Sequence, residues 1–478
     1  MEFNRAIAVH VGRNLLLTLF VFFSSNAILA QTRIICIGNS ITYGARLPDR
    51  EKQSYPAQLQ QMLGDKYEVL NFGVSSSTLL SRGNKPYIKT AAFQQALASQ
   101  PDIVIIKLGG NDSKLINRIY LAEFKEDYQR MIDTFRNLAS HPRIILMTPL
   151  KFFTTDTTGI WDQPVEKIMI PALQAIAFER DLELINFRTL FLDKEHMMPD
   201  KVHPDEHGAM AIAKRLKEQV TLVGKPFNIA TKIKERNTEK SFYGYRDHQF
   251  KFKGREAHVV KPKVAAKGNP WVWRSRFWSH QPQTDIALLE RGYHIVYCDV
   301  VELYGNKEAI QLWDDFYKYL RKIGLAKKAV MEGMSRGGVY IYAWAAKNPR
   351  KIACVYTDNA VMDLKSWPGG FRKSNGSKKD WEIYKKDFGY SNDEEAKSAK
   401  DSPIDKIKQI VKGKYPMLHV CADKDEAAPI EENTAVFEKL IKAAGGNITV
   451  IHKPEAKHHP HSLPNPQPIV DFILAAPK

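Results

Sequence analysis

Short, almost wholly apolar runs at 33–37, 67–72, 102–108, 143–147 and 182–187 alternate with stretches, such as 124–139 and 165–177, whose apolar residues recur at helical spacing. Strands that are apolar along their whole length are buried on both faces. The pattern therefore predicts a parallel sheet between two helical layers over residues 32–222, closed by a helix at 207–222. From 224 to about 243 the chain turns polar and charged and loses strand character, which predicts a linker over 223–241. A second alternating series follows at 256–261, 271–277, 293–300, 329–332, 352–357, 417–421 and 448–452, with helices such as 312–323 between, and predicts a second α/β unit over 242–478. Residues 364–401, rich in Lys, Gly, Ser and Trp, fall where such folds insert a cap over a site. No repeat or heptad array is present.

Composition adds two constraints. With 478 residues and 44% hydrophobic content, the chain has enough apolar material for two cores. An apolar run at 14–30 follows Arg5 and Arg13, carries the small residues Ser24, Ser25, Ala27 and Ala30, and precedes Gln31. This basic, apolar, small-residue order predicts a cleaved export signal over 1–30, a secreted or periplasmic protein, and no stable membrane insertion after cleavage.

The net charge of +17 is spread over the whole sequence, with no arginine-rich tract or nucleic-acid module, so no nucleic-acid partner is expected. Cys36, Cys298, Cys354 and Cys421 each sit inside an apolar run and read as buried thiols without paired spacing. The tryptophans Trp271, Trp273, Trp278 and Trp367 read as core rather than sugar platforms.

Candidate chemistry comes in two ordered sets. In the first, Ser40 follows the first strand directly, at the end of a sheet where ligands bind. A serine hydroxyl needs a base to take its proton. Asp200 and His203, three residues apart, supply a base and its orienting acid. Gly73 and Asn111, with the N–H of Ser40, form a candidate donor set for an acyl-transfer oxyanion. His207 and Asp205 read as a helix start rather than a metal pair, since no third ligand is in view.

In the second set, Gly333-Met334-Ser335-Arg336-Gly337-Gly338 lies between an apolar strand and a helical stretch, the context of a nucleophile elbow. Asp425 follows the 417–421 strand, with Asp423 as its rival. A histidine cluster, His458, His459 and His461, follows the last strand. Spacing alone leaves the base open among these three. The cluster has no carboxylate or cysteine at ligand spacing nearby, so no metal is expected there, and neither set calls for a cofactor.

The blocks Gly38-Asn39-Ser40, Gly73, Gly109-Gly110-Asn111-Asp112 and Asp200-Lys201-Val202-His203 resemble those of SGNH (GDSL-type) hydrolases over about 32–222. The chain has Asn39 where the name-giving motif has Asp. The wider run Ser40-Ile41-Thr42-Tyr43-Gly44 with Ser54-Tyr55-Pro56 is similar to carbohydrate acetylesterases of that family. The second set resembles α/β-hydrolases of the prolyl-oligopeptidase or acetyl-xylan-esterase-like kind over about 242–478, although Glu455-Ala456-Lys457 replaces their glycine-rich turn and 271–277 stands where they carry a His-Gly oxyanion segment. That resemblance implies Ser335 as nucleophile, the N–H of Arg336 as one oxyanion donor, Asp425 as acid and His458 as base, with His459 the alternative base; it names no second donor.

The resemblances imply an α/β protein, a flavodoxin-like SGNH sandwich followed by an α/β-hydrolase fold. They also imply a two-domain carbohydrate esterase acting through acyl-serine intermediates, with acylated carbohydrate as its partner. The alternatives are a lipolytic esterase or thioesterase, and an SGNH esterase whose second domain only binds glycan.

Overall fold

The computed structural model describes residues 31–222, 224 and 227–477; the export signal expected at 1–30 lies outside them. Strands β1 (Thr32–Gly38), β2 (Tyr67–Gly73), β3 (Ile103–Lys107), β4 (Arg143–Met147) and β5 (Glu183–Ile185) form a parallel sheet in the order β2-β1-β3-β4-β5. Every residue of β3 is buried, as are residues 34–38 of β1, which is why these segments read as unbroken apolar runs. Successive strands are added on one side of β1 and then on the other, so the winding of the sheet reverses between β1 and β3. That switch point opens a crevice at the carboxyl ends of both strands, and Ser40 and Asn111 follow those ends.

The second sheet has nine strands: β6 (Asn237–Phe242), β7 (Tyr245–Phe252), β8 (Arg255–Lys261), β9 (Trp271–Arg274), β10 (His294–Cys298), β11 (Ala329–Met334), β12 (Ile352–Asp358), β13 (Met417–Ala422) and β14 (Ile448–Lys453). Their order is β14-β13-β12-β11-β9-β10-β8-β7-β6, parallel from β14 to β10 and antiparallel beyond. Hydrophobic layers cover both faces, and Trp271, Trp273, Trp313 and Trp344 are fully buried in one of them.

Two expectations need correction. The linker expected over 223–241 is partly strand, because 237–242 pairs along its whole length with β7. As an edge strand exposed at Asn-Thr-Glu-Lys-Ser, it is held by backbone pairing and carries no apolar alternation that a sequence reading detects. The single helix expected at 165–177 is interrupted: a π turn at Val165–Met169 precedes the helix Ile170–Glu179, whose first turn contains Pro171, a residue with no N–H to donate.

Polar contacts join the two units, the Arg215–Glu290 pair among them buried. Glu290 accepts hydrogen bonds from the N–H of Asn186 (2.8 Å) and from Nη2 of Arg215 (3.0 Å), while Lys263 donates to Asp181 and to the carbonyl of Ala177.

Candidate active sites

Ser40 opens the short helix Ser40–Tyr43, and Asn39 caps it by accepting the N–H of Ile41. The hydroxyl of Ser40 lies 2.8 Å from Nε2 of His203, whose Nδ1 is 2.7 Å from Oδ2 of Asp200. The other Asp200 oxygen accepts the N–H groups of His203 (2.7 Å) and Val202 (3.1 Å), a turn made possible by the left-handed Lys201 at φ +64. Burial alone would raise the Asp200 carboxyl; the hydrogen bonds and charge of His203 outweigh it and hold the group below its ordinary value. Asp200 therefore stays ionised and fixes the His203 ring with Nε2 toward the serine.

Behind the serine, the fully buried Lys107 places Nζ 3.3 Å from Oδ1 of Asn39. Asn39 is neutral, so nothing offsets the loss of hydration, and burial lowers the Lys107 ammonium to about 7. A cavity of about 510 Å³ lies against Asp200 and His203, lined also by Arg46, Leu47, Gln53 and Pro204.

The expected donor set changes in one member. Gly73 donates its N–H to Oδ1 of Asn71 (2.9 Å), so it is not a free oxyanion donor. Its missing side chain serves a close approach instead: a Cβ there would lie 2.2 Å from the N of Tyr43. Asn111 is buried and fixed by an Nδ2 hydrogen bond to the carbonyl of Ser77 (3.0 Å), which leaves its second amide hydrogen uncommitted by that bond. Next to it, Asp112 accepts the N–H groups of Leu79 and Leu80, and burial pushes its carboxyl up to about 6. Asn111 and Asp112 thus lock the loop after β3 onto the 77–80 segment. Within the turn before that segment, Ser76 is left-handed (φ +65). Asp205 caps the helix Glu206–Val220 by accepting the N–H of Gly208, and His207 is exposed.

The second site sits at the carboxyl end of β11. Ser335 has φ +50, the strained left-handed conformation expected of the nucleophile in a sharp strand-to-helix turn. Gly333 and Gly337 make that turn possible, since a Cβ on Gly333 would come within 2.9 Å of the Gly337 backbone. The Ser335 hydroxyl lies 2.9 Å from Nε2 of His458, whose Nδ1 is 2.8 Å from Oδ2 of Asp425. Oδ1 of Asp425 accepts the N–H groups of Ala427 and Ala428, both at 2.9 Å. Asp423 instead pairs with His452 (2.7 Å), and His459 is exposed beside the ring of His458.

Four supporting residues, Asn359, Asp380, Tyr304 and Ser275, carried no signal in the sequence. Asn359, left-handed at φ +46, donates its amide to the carbonyl of His458 (2.6 Å) and accepts the N–H of Ala422 (2.8 Å), tying the base and acid loops to the end of β12. Asp380, in the helix Lys378–Phe388 of the expected cap stretch, accepts Nη1 of Arg336 (2.6 Å), and Tyr304 donates its hydroxyl to the same carboxylate. The guanidinium of Arg336 also lies over the rings of Phe277 and Trp367. The loop leaving β9 packs on the elbow, with the Ser275 hydroxyl donating to the carbonyl of Gly337 (3.1 Å).

Residues 36–211 match the GDSL-like lipase/acylhydrolase family, and residues 311–472 match the prolyl oligopeptidase family. An acetylxylan esterase from Xylanibacter ruminicola is 41% identical over 199 residues, 38% of this chain and 41% of that protein. The chain thus spans about two fifths of the length of that curated relative. Among solved structures, the acylaminoacyl peptidase of Pyrococcus horikoshii is 16% identical with a TM-score of 0.37, covering 52% of this chain and 42% of that one. Est24, a carbohydrate acetylesterase from Sinorhizobium meliloti, is 19% identical with a TM-score of 0.34, covering 40% of this chain and 98% of that one. Among the described residues, no helix is long and apolar enough to cross a membrane.

Proposed function

Because the chain joins a GDSL-like lipase/acylhydrolase domain to a prolyl oligopeptidase-family α/β-hydrolase domain, we propose that it is an exported carbohydrate esterase with two independent serine active sites. The observation that carries this reading is the presence of two serine–histidine–aspartate relays at hydrogen-bond distance throughout, one in each domain. The domains are taken as 32–222 and 237–478. Export rests on the basic, apolar, small-residue order of residues 1–30.

At the first site, His203 takes the Ser40 proton through Nε2 as the serine oxygen attacks the acyl carbon, and Asp200 steadies the resulting imidazolium. The tetrahedral oxyanion is met by the Asn111 amide and the N–H of Ser40, with the N–H of Ser76 as the backbone donor that takes the place first given to Gly73. The tetrahedral species collapses, the sugar hydroxyl leaves with the proton from His203, and water releases the acid by the reverse sequence. The leaving group is protonated by His203, so the cavity against His203 and Asp200 is where the sugar sits. Its Leu47 and Pro204 suit the apolar face of a sugar ring, while Arg46 and Gln53 suit its hydroxyls.

At the second site, Ser335, His458 and Asp425 take the same roles. The N–H of Arg336 and the N–H of Arg276, on the loop packed against the elbow, act as the oxyanion donors. The acetylxylan esterase name of the 41% identical relative supports acetylated polysaccharide as the substrate of the first site. Two esterases on one chain suit a polysaccharide that carries more than one ester, because tethering raises the local concentration of the second site. The test is acetate release from acetylated xylan, and turnover of a bulkier aromatic ester, by the full chain and by Ser40→Ala and Ser335→Ala. Loss of acetate release only in Ser40→Ala supports the assignment, and undiminished release by Ser40→Ala rejects it.

A further inference from the structure

Four histidines converge at the second site. The rings of His458, His459 and His461 stand 4.8 to 5.0 Å apart between centroids, and His280, from the loop after β9, lies 5.9 Å from His459 and 6.0 Å from His461. One nitrogen from each of His458, His459 and His461 falls within 4.8 Å of the others. Sequence spacing showed no carboxylate near this cluster, but the fold supplies two from distant segments. Asp425 accepts Nδ1–H of His458 (2.8 Å), and the fully buried Asp358, at the end of β12, accepts Nδ1–H of His461 (2.9 Å). A carboxylate on Nδ1 fixes the tautomer and leaves the Nε2 lone pair as the ligand, the outer-shell arrangement that orients metal-binding histidines.

We propose that His458, His459 and His461 form an inhibitory site for a borderline divalent cation, Zn²⁺ above all, with His280 or a water completing a tetrahedron. This inference rests on the reading of His458 as the base of the second site. Imidazole nitrogens suit Zn²⁺, with Zn–N distances of about 2.0–2.1 Å, and a tetrahedral shell brings ligand nitrogens to about 3.4 Å from one another. His459 is exposed, so rotation of its side chain closes the remaining gap.

The consequence follows from the lone pair. Binding forms a dative bond from Nε2 of His458 to the metal and breaks the hydrogen bond that Ser335 donates to the same nitrogen. No proton is released, since both Nδ1–H groups stay on their carboxylates. With its base occupied, Ser335 loses its nucleophilicity, and removal of the metal restores it. Among the described residues the first site has a single histidine, His203, at its serine, and is unaffected.

The experiment uses the full chain carrying Ser40→Ala, first treated with EDTA. Zn²⁺ binding is followed by calorimetry, and access to the nucleophile by the rate at which a phosphonate ester labels Ser335. The expected result is one Zn²⁺ bound per chain, a parallel loss of Ser335 labelling, and full recovery with excess EDTA. His459→Ala, a surface change, is expected to leave metal-free labelling intact and to weaken Zn²⁺ binding by about tenfold or more. Equal Zn²⁺ affinity with and without His459, or undiminished labelling in saturating Zn²⁺, overturns the proposal. Should Ser335 resist labelling even without metal, the catalytic reading of the second site fails, and the calorimetric comparison with His459→Ala still decides the metal site.

Discussion

The side chain of Asn359 holds the backbone of His458: its amide donates to the His458 carbonyl at 2.6 Å while its carbonyl accepts the N–H of Ala422, three residues before the triad acid. The base and acid of the second site stand on different loops, and this one side chain fixes both to β12. Asn359→Ala is expected to lower kcat at the second site by about tenfold to a hundredfold, with KM little changed, since small misplacements of a reacting group are costly. Hydrolysis at Ser40 serves as the internal control. Unchanged kcat on an ester specific to the second site contradicts the positioning role.

Arg336 is both the residue after the nucleophile and a tether to the cap, through Asp380 and Tyr304. Asp380→Ala frees the cap helix from the elbow while leaving the Arg336 N–H in place. Steady-state kinetics at the second site is expected to show a higher KM for bulky esters and a smaller change in kcat. A loss confined to kcat would mean that the pair shapes the oxyanion hole rather than the substrate pocket.

Where the two units meet, Glu290 satisfies Arg215 and the N–H of Asn186, and both charged side chains are buried. Removing Glu290 leaves the buried Arg215 with only a 3.4 Å contact to Glu218 and the neutral Gln219 as partners. Glu290→Ala is expected to cost about 3–5 kcal/mol of unfolding free energy. Glu290→Gln, which keeps an acceptor for Asn186, is expected to cost less. Denaturant unfolding measures both, and a change near zero for Glu290→Ala would show that the interface adds nothing to stability.

Lys107 gives a pH signature. Its ammonium is lowered by burial from the ordinary 10.5 to about 7, so between these values the unfolded chain holds a proton that the folded chain has released. The unfolded state therefore binds more protons in this window, and stability rises with pH, by up to about 1.4 kcal/mol per pH unit from this group. Lys107→Met removes the contribution. Between about pH 7 and pH 9 its stability is expected to climb less steeply than that of the unaltered chain, and equal slopes would contradict the buried cation.

Local order made much of this legible in the sequence. Ser40, Asp200 and His203 lie in short blocks whose spacing already states their chemistry, and the fully buried β1 and β3 announce themselves as apolar runs. What escaped was set by distant partners. Asn359 and Asp380 have no motif, because their role depends on loops brought together only by the fold. Gly73 sits in a matching block, yet its N–H is taken by Asn71, two residues away, and the close pass of Tyr43 explains the glycine. Spacing and family resemblance left His458 and His459 as alternatives; the fold points the first ring at Ser335 and the second at solvent. The edge strand β6 was hidden because backbone pairing, not apolar side chains, holds it.

The central claim is that one chain carries two working serine nucleophiles, and counting covalent adducts tests it most directly. The full chain, Ser40→Ala, Ser335→Ala and the double variant are treated with a fluorophosphonate, and intact mass is measured. Two adducts on the unaltered chain, one on each single variant and none on the double variant are expected. A single adduct on the unaltered chain that disappears in Ser40→Ala and persists in Ser335→Ala would contradict the account and leave the second domain without a catalytic serine.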